Sequence, residues 1–144
     1  MSGQVDDRPV NGSVPGSPNG HPHFSARAAV SNAVVRIHAR SYGRGPTKAR
    51  TVMGEDYAMC VLENIYTPAE RTLIDAGKAD QVAGIRDTFQ TVARGEFIGA
   101  VEEITGRRVR AFLSQVHWDP DVAVEIFLFD PLPSEASTDP VAEV

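Results

Sequence analysis

The chain has 144 residues, 42% of them hydrophobic and 23% charged, which suits one domain of ordinary globular make-up. Most of its net charge of −5 lies in the ends: residues 25–130 carry 13 Lys and Arg against 14 Asp and Glu, too neutral for a sequence-independent nucleic-acid binder. No stretch approaches the roughly 18 apolar residues of a membrane span, and no basic start precedes an apolar run, so a cytoplasmic protein without a secretory signal is expected.

Residues 1–24 are rich in Gly, Pro, Ser and Asn and nearly devoid of large apolar side chains. Such a segment cannot bury enough surface to offset its ordering entropy, and a disordered tail is expected. His21 and His23 flank Pro22 without further ligands nearby, so no metal site is assigned to them. Ser25 is placed to cap a helix over about residues 26–41, with an apolar stripe of Val30, Ala33, Val34 and Ile37 and with His38 beside it, partly exposed. Gly43 supplies the stop, and Pro46 prevents resumption.

Two β-type runs follow, about 47–53 and 57–62, joined by the turn residues Gly54, Glu55 and Asp56. The lone cysteine, Cys60, falls in the second run and is expected as a small buried apolar residue. Thr67-Pro68-Ala69-Glu70 opens a short helix with an N-cap, Pro at N1 and a capping box. A long helix over about 80–104 comes next. Its spacing places Val82, Ile85, Phe89, Val92, Phe97, Val101 and Ile104 on one face, with Arg86 off that stripe, and Gly106 ends it. Residues 108–116 read as a strand and His117 to Asp121 as a turn. Val122 to Phe129 is a strong strand, apolar on both faces except at Glu125. Residues 131–144 are Pro-rich and acidic, and a mobile tail is expected.

The implied fold is α+β, in the order α-β-β-α-α-β-β: a four-stranded, largely antiparallel sheet with helices on one face, forming a single domain over residues 25–130. The two halves show a weak symmetry of amphipathic helix, Gly-Arg corner, basic strand start, acidic turn and apolar strand. A domain this small leaves its second sheet face bare, including Phe127 and Phe129 or their neighbours. A partner or a second copy is therefore expected there.

Four segments, Gly43-Arg44-Gly45-Pro46-Thr47-Lys48-Ala49-Arg50, Leu62-Glu63, Thr67-Pro68-Ala69-Glu70-Arg71-Thr72-Leu73 and Glu102-Glu103-Ile104-Thr105-Gly106-Arg107, resemble the MpsC-like family over about residues 25–130. The resemblance implies a small soluble bacterial protein associated with a membrane-potential-generating, sodium- or bicarbonate-linked transport system, with no defined reaction. Where that family usually has Ser-Asp before the His turn, this chain has Ser114-Gln115.

Catalytic signatures are lacking. Gly43-Arg44-Gly45-Pro46 has neither the spacing nor the Lys-Ser/Thr of a phosphate loop, and it follows a helix instead of opening one. No serine occupies a nucleophile elbow, and no Cys or His cluster has zinc spacing. His117, Asp119 and Asp121 are a dense polar group that suits either a weak cation site or plain turn chemistry. The candidate ligand or partner contacts are Arg44, Lys48, Arg50, Arg107, Arg108, Arg110 and His117. If the halves pack symmetrically, the Gly-Arg corners converge on a small anion such as bicarbonate, phosphate or a carboxylate. The leading expectation is a non-enzymatic accessory or regulatory module. It would bind a protein partner, such as the cytoplasmic side of a membrane ion or bicarbonate transport system, and would sit peripheral to the membrane through that partner. It would self-associate and need no cofactor. The alternatives are a small-anion sensor or enzyme built on the Gly-Arg corners, and nucleic-acid binding through Lys48, Arg50, Arg108 and Arg110.

Overall fold

A computed structural model of the chain describes residues 22–133. The expected tails, apart from the few residues next to the domain, lie outside the described residues. The elements run α1 (Pro22–Tyr42), β1 (Lys48–Met53), β2 (Tyr57–Glu63), α2 (Pro68–Asp75), α3 (Ala79–Thr105), β3 (Val109–His117) and β4 (Val122–Phe129). The helix α1 begins ahead of Ser25, so Ser25 lies inside the helix and is not its cap. Pro22 tolerates the first turn because its fixed φ suits a helix and its missing N–H would have no partner there. Gly43 and Gly106 stop α1 and α3 at φ 78° and 65°, a left-handed conformation that costs glycine little.

The four strands form one antiparallel sheet in the order β1-β2-β4-β3. Each hairpin is local in sequence, and the two meet along β2 and β4. A pseudo-two-fold axis through the sheet centre thus relates α1-β1-β2 to α3-β3-β4. A register shift between Val109 and Ala111 marks a bulge at the start of β3.

One face of the sheet carries Thr51, Ala58, Cys60, Leu62, Phe112, Ala123, Phe127 and Phe129, all buried. On it lie Val30, Ala33, Val34 and Ile37 of α1 and Val82, Ala93, Phe97 and Val101 of α3. Phe97 stacks on Phe112 at 5.3 Å between ring centroids, and Phe112 meets Phe127 at a tilt, 5.0 Å between centroids. Removing these apolar groups from water is the main stabilising contribution. Cys60 is fully buried, as expected, and burial pushes its thiol up, away from the reactive thiolate.

For β4 the structure decides between the two expected alternatives, and for α3 it corrects the expected face. Phe127 and Phe129 point into the helix layer, and their neighbours Val122, Val124, Ile126 and Leu128 face the open side. In α3, Val82, Arg86, Gln90, Ala93, Phe97 and Val101 are buried, whereas Ile85, Phe89 and Val92 are exposed, Val92 to 81%. Both stripes have helical spacing and they share Val82, Phe97 and Val101. The polar core described next decides between them.

Candidate functional site

The helix α2 starts with the expected capping box. The Glu70 amide donates to Thr67 Oγ1 at 3.2 Å, and the Thr67 amide to Glu70 Oε1 at 2.9 Å. The same carboxylate receives Arg86, whose Nε donates to Oε2 at 2.7 Å and Nη2 to Oε1 at 2.6 Å. Arg86 Nη2 also donates to the Ile65 carbonyl at 2.9 Å, and its guanidinium lies 3.7 Å above the Tyr42 ring. Burial pushes Glu70 up, but the Arg86 and Thr67 hydrogen bonds and the Arg86 charge outweigh it and hold the carboxyl below its ordinary value. Desolvation raises the Tyr42 phenol to about 12, despite the Arg86 charge.

A second polar group lies beside the first. Glu125 Oε1 accepts from His38 Nε2 at 3.0 Å and from Gln90 Nε2 at 2.9 Å, with all three side chains buried. His38 is therefore a core residue and not the partly exposed one expected from its place beside the stripe. Five buried polar atoms find no partner among the described residues: His38 Nδ1, Tyr42 Oη, Arg86 Nη1, Gln90 Oε1 and Glu125 Oε2. All belong to this one network at the junction of α1, α3 and β4. A narrow cleft of about 90 Å³ between α3 and β3 reaches Arg86 and Gln90 from outside. Most of the named groups hold one another: the carboxylates are engaged by Arg86, His38 and Gln90, and Cys60 is a buried, raised thiol. This arrangement locks helices to the sheet and offers no activated nucleophile.

The sequence carried a signal for the network. A carboxylate at Glu125, inside a strand apolar on both faces, requires buried donors, and His38 beside an amphipathic stripe is one. Arg86 is hidden in the sequence because the more apolar stripe of the same helix predicts it outside.

The residues singled out in the sequence are spread around the sheet. Arg44 donates to the Tyr66 carbonyl, at the end of the sheet where β1 starts. Arg107 donates from Nη1 to the Glu55 carbonyl at 2.8 Å and from Nη2 to the Asp130 carbonyl at 3.0 Å, at the opposite end. Because β1 and β3 are opposite edges and run antiparallel, the Gly-Arg corners stand diagonally across the sheet. They do not converge, and an anion shared between them is ruled out. Lys48, Arg50, Arg108 and Arg110 are exposed, with Lys48 3.8 Å from Glu63 and Arg108 3.7 Å from Asp130. His117 Nδ1 donates to the Pro120 carbonyl at 2.8 Å. Both Asp121 oxygens are taken, by the Ile65 amide at 2.9 Å and by Arg71 at 2.6 Å, while Asp119 is exposed. Among the described residues no group of three or more His, Cys, Asp or Glu is placed to hold a metal ion.

The surface that remains is the open sheet face. Its register sets Val52, Met59, Ile126 and Leu113 in one row across all four strands, and Arg50, Val61, Val124 and Gln115 in the next. Tyr57, Leu128 and Ala111 extend it. Leu113 is 52% exposed, and among the described residues no helix lies over this side.

A family model described as "Na+-translocating membrane potential-generating system (MpsC)" matches residues 25–131. No curated protein and no solved structure matches the chain.

Proposed function

The chain belongs to the MpsC family, and from that premise we propose that it works as a non-enzymatic accessory or regulatory module, docking on protein rather than transforming a small molecule. The observation that carries this reading is the apolar row Val52, Met59, Ile126 and Leu113 on a sheet face that no helix among the described residues covers. A contiguous apolar surface of this kind is a mark of an interaction site. The polar groups that would otherwise suggest chemistry are engaged in holding α1, α2 and α3 to the sheet.

The family description supplies the setting, a sodium-translocating, membrane-potential-generating system. Among the described residues no helix is long and apolar enough to cross a membrane. On this reading the module meets the membrane system through a protein partner on its cytoplasmic side, and uses no cofactor. The stripe Ile85, Phe89 and Val92 on α3 is a second exposed apolar surface for such an assembly.

The test is photo-crosslinking in the native host, with the reactive side chain placed at position 92 or 113. Capture of membrane-embedded subunits by either position, alone or together with a second copy of the chain, supports the reading. Capture of soluble enzymes alone, or turnover of a small molecule by the purified chain, overturns it.

A further inference from the structure

The open sheet face has a charge pattern that distinguishes among possible occupants. Lys48 and Arg50 stand where β1 starts, and Glu55 and Asp56 at the turn where it ends. Arg108 and Arg110 stand where β3 starts, and Asp119 at the turn where it ends. All seven are exposed. The strands β1 and β3 form the two edges and run antiparallel, so the cations hold one diagonal pair of corners and the acids the other. Glu63 near Lys48 and Asp130 near Arg108 are the nearest intrachain carboxylates, at 3.8 and 3.7 Å, and all four side chains keep about half or more of their surface in solvent.

This diagonal pattern is self-complementary. When an identical sheet is turned over and laid face to face with its strands aligned, every basic corner meets an acidic one. This holds whether the two-fold axis runs along the strands or across them. A crossing near 90° does the reverse and sets like charges together. Aligned and orthogonal stacking are the two common ways for sheets to pack, about 10 Å apart, and charge selects the first. In either aligned arrangement the central quartet Met59, Val61, Val124 and Ile126 meets the same quartet of the second sheet. Resting on the reading of this face as a protein-docking surface, we infer that its occupant is a second copy of this chain, joined across a two-fold axis as an aligned sandwich with both helix layers outward.

Sedimentation equilibrium of the full chain at micromolar concentration tests this. A dimer is expected. Leu113→Glu, at an exposed position, weakens it about tenfold or more and leaves a folded monomer with a cooperative melt, because it places an unpaired charge in an apolar contact. Arg50→Glu also weakens it. Adding Asp56→Arg to that chain restores association if the axis runs across the strands, and adding Asp119→Arg restores it if the axis runs along them. A dimer indifferent to Leu113→Glu and Arg50→Glu overturns the inference. So does a monomer. A monomer that captures a membrane protein from position 92 or 113 leaves the docking reading standing, whereas one that captures nothing at either position removes both.

Discussion

Arg86 of α3 and Glu70 of α2 form a two-point ion pair, with N–O distances of 2.7 and 2.6 Å, inside the capping box that starts α2. Glu70 thus closes a helix cap and neutralises a buried guanidinium at once. The pair explains why α3 turns Arg86 inward and leaves Ile85, Phe89 and Val92 in solvent. Removing one member strands the other's charge. Glu70→Ala is expected to destabilise the chain by about 3 kcal/mol or more, as broken buried pairs do. The double change Glu70→Gln with Arg86→Met is expected to recover much of that loss. Urea unfolding of the three chains decides it, and a Glu70→Ala chain as stable as the parent would contradict the role given to the pair.

The same pair sets the acid limb of stability. The folded-state pKa of Glu70 lies below its ordinary 4.5. Its contribution is therefore fully present above that value and is lost as pH falls through the lower folded-state value. Tyr42 acts at the other extreme. Its folded-state pKa is raised from 10.0 to about 12, so stability is retained below pH 10 and declines as pH rises through that interval. Stability measured against pH should lose part of its acid slope in Glu70→Gln and part of its alkaline slope in Tyr42→Phe. At neutral pH the phenylalanine variant should be close to the parent, because Tyr42 Oη has no hydrogen-bond partner among the described residues.

The register of α3 is open to direct test. Val92 is exposed and Phe97 is buried against Phe112. Val92→Thr is expected to change stability by less than about 0.5 kcal/mol, as surface substitutions do. Phe97→Ala is expected to cost about 3–5 kcal/mol, as emptied aromatic core sites do. Comparable losses for the two would mean that the helix is turned the other way.

Arg107 holds two backbone carbonyls, those of Glu55 and Asp130, and lies 5.0 Å from the Phe129 ring centroid. It ties the β1–β2 turn to the chain leaving β4. Arg107→Ala should lower stability by about 1–2 kcal/mol through the two lost hydrogen bonds. Addition of bicarbonate or phosphate should not raise the melting temperature of the parent chain more than that of the variant. A stabilisation by either anion that Arg107→Ala abolishes would restore an anion site at this corner.

Much of the fold is legible from short stretches, because its signals are local. Thr67, Pro68 and Glu70 state a helix start through hydrogen bonds within one turn, Gly43 and Gly106 state helix ends through backbone conformation, and the period of Val122 to Phe129 states a strand. Those cues determine the element order and the hairpins, and with a small chain they imply a sheet covered on one side. Which face each element buries depends on groups far away in sequence. Phe127 and Phe129 had equal apolar claims with Ile126 and Leu128, and the helix layer chose the phenylalanines. The stripe of Ile85, Phe89 and Val92 is more apolar than that of Arg86 and Gln90, yet the polar stripe is inside. Glu70 lies 16 residues away from Arg86, and Glu125 35 from Gln90. Only the assembled chain brings those carboxylates within reach, and a buried charge is tolerable only where its partner is already in place. The Gly-Arg corners follow the same rule. The sequence determined that each ends a helix and begins an edge strand. The antiparallel order β1-β2-β4-β3 then set them diagonally apart, because a two-fold axis through the middle of a sheet carries one corner to the opposite one.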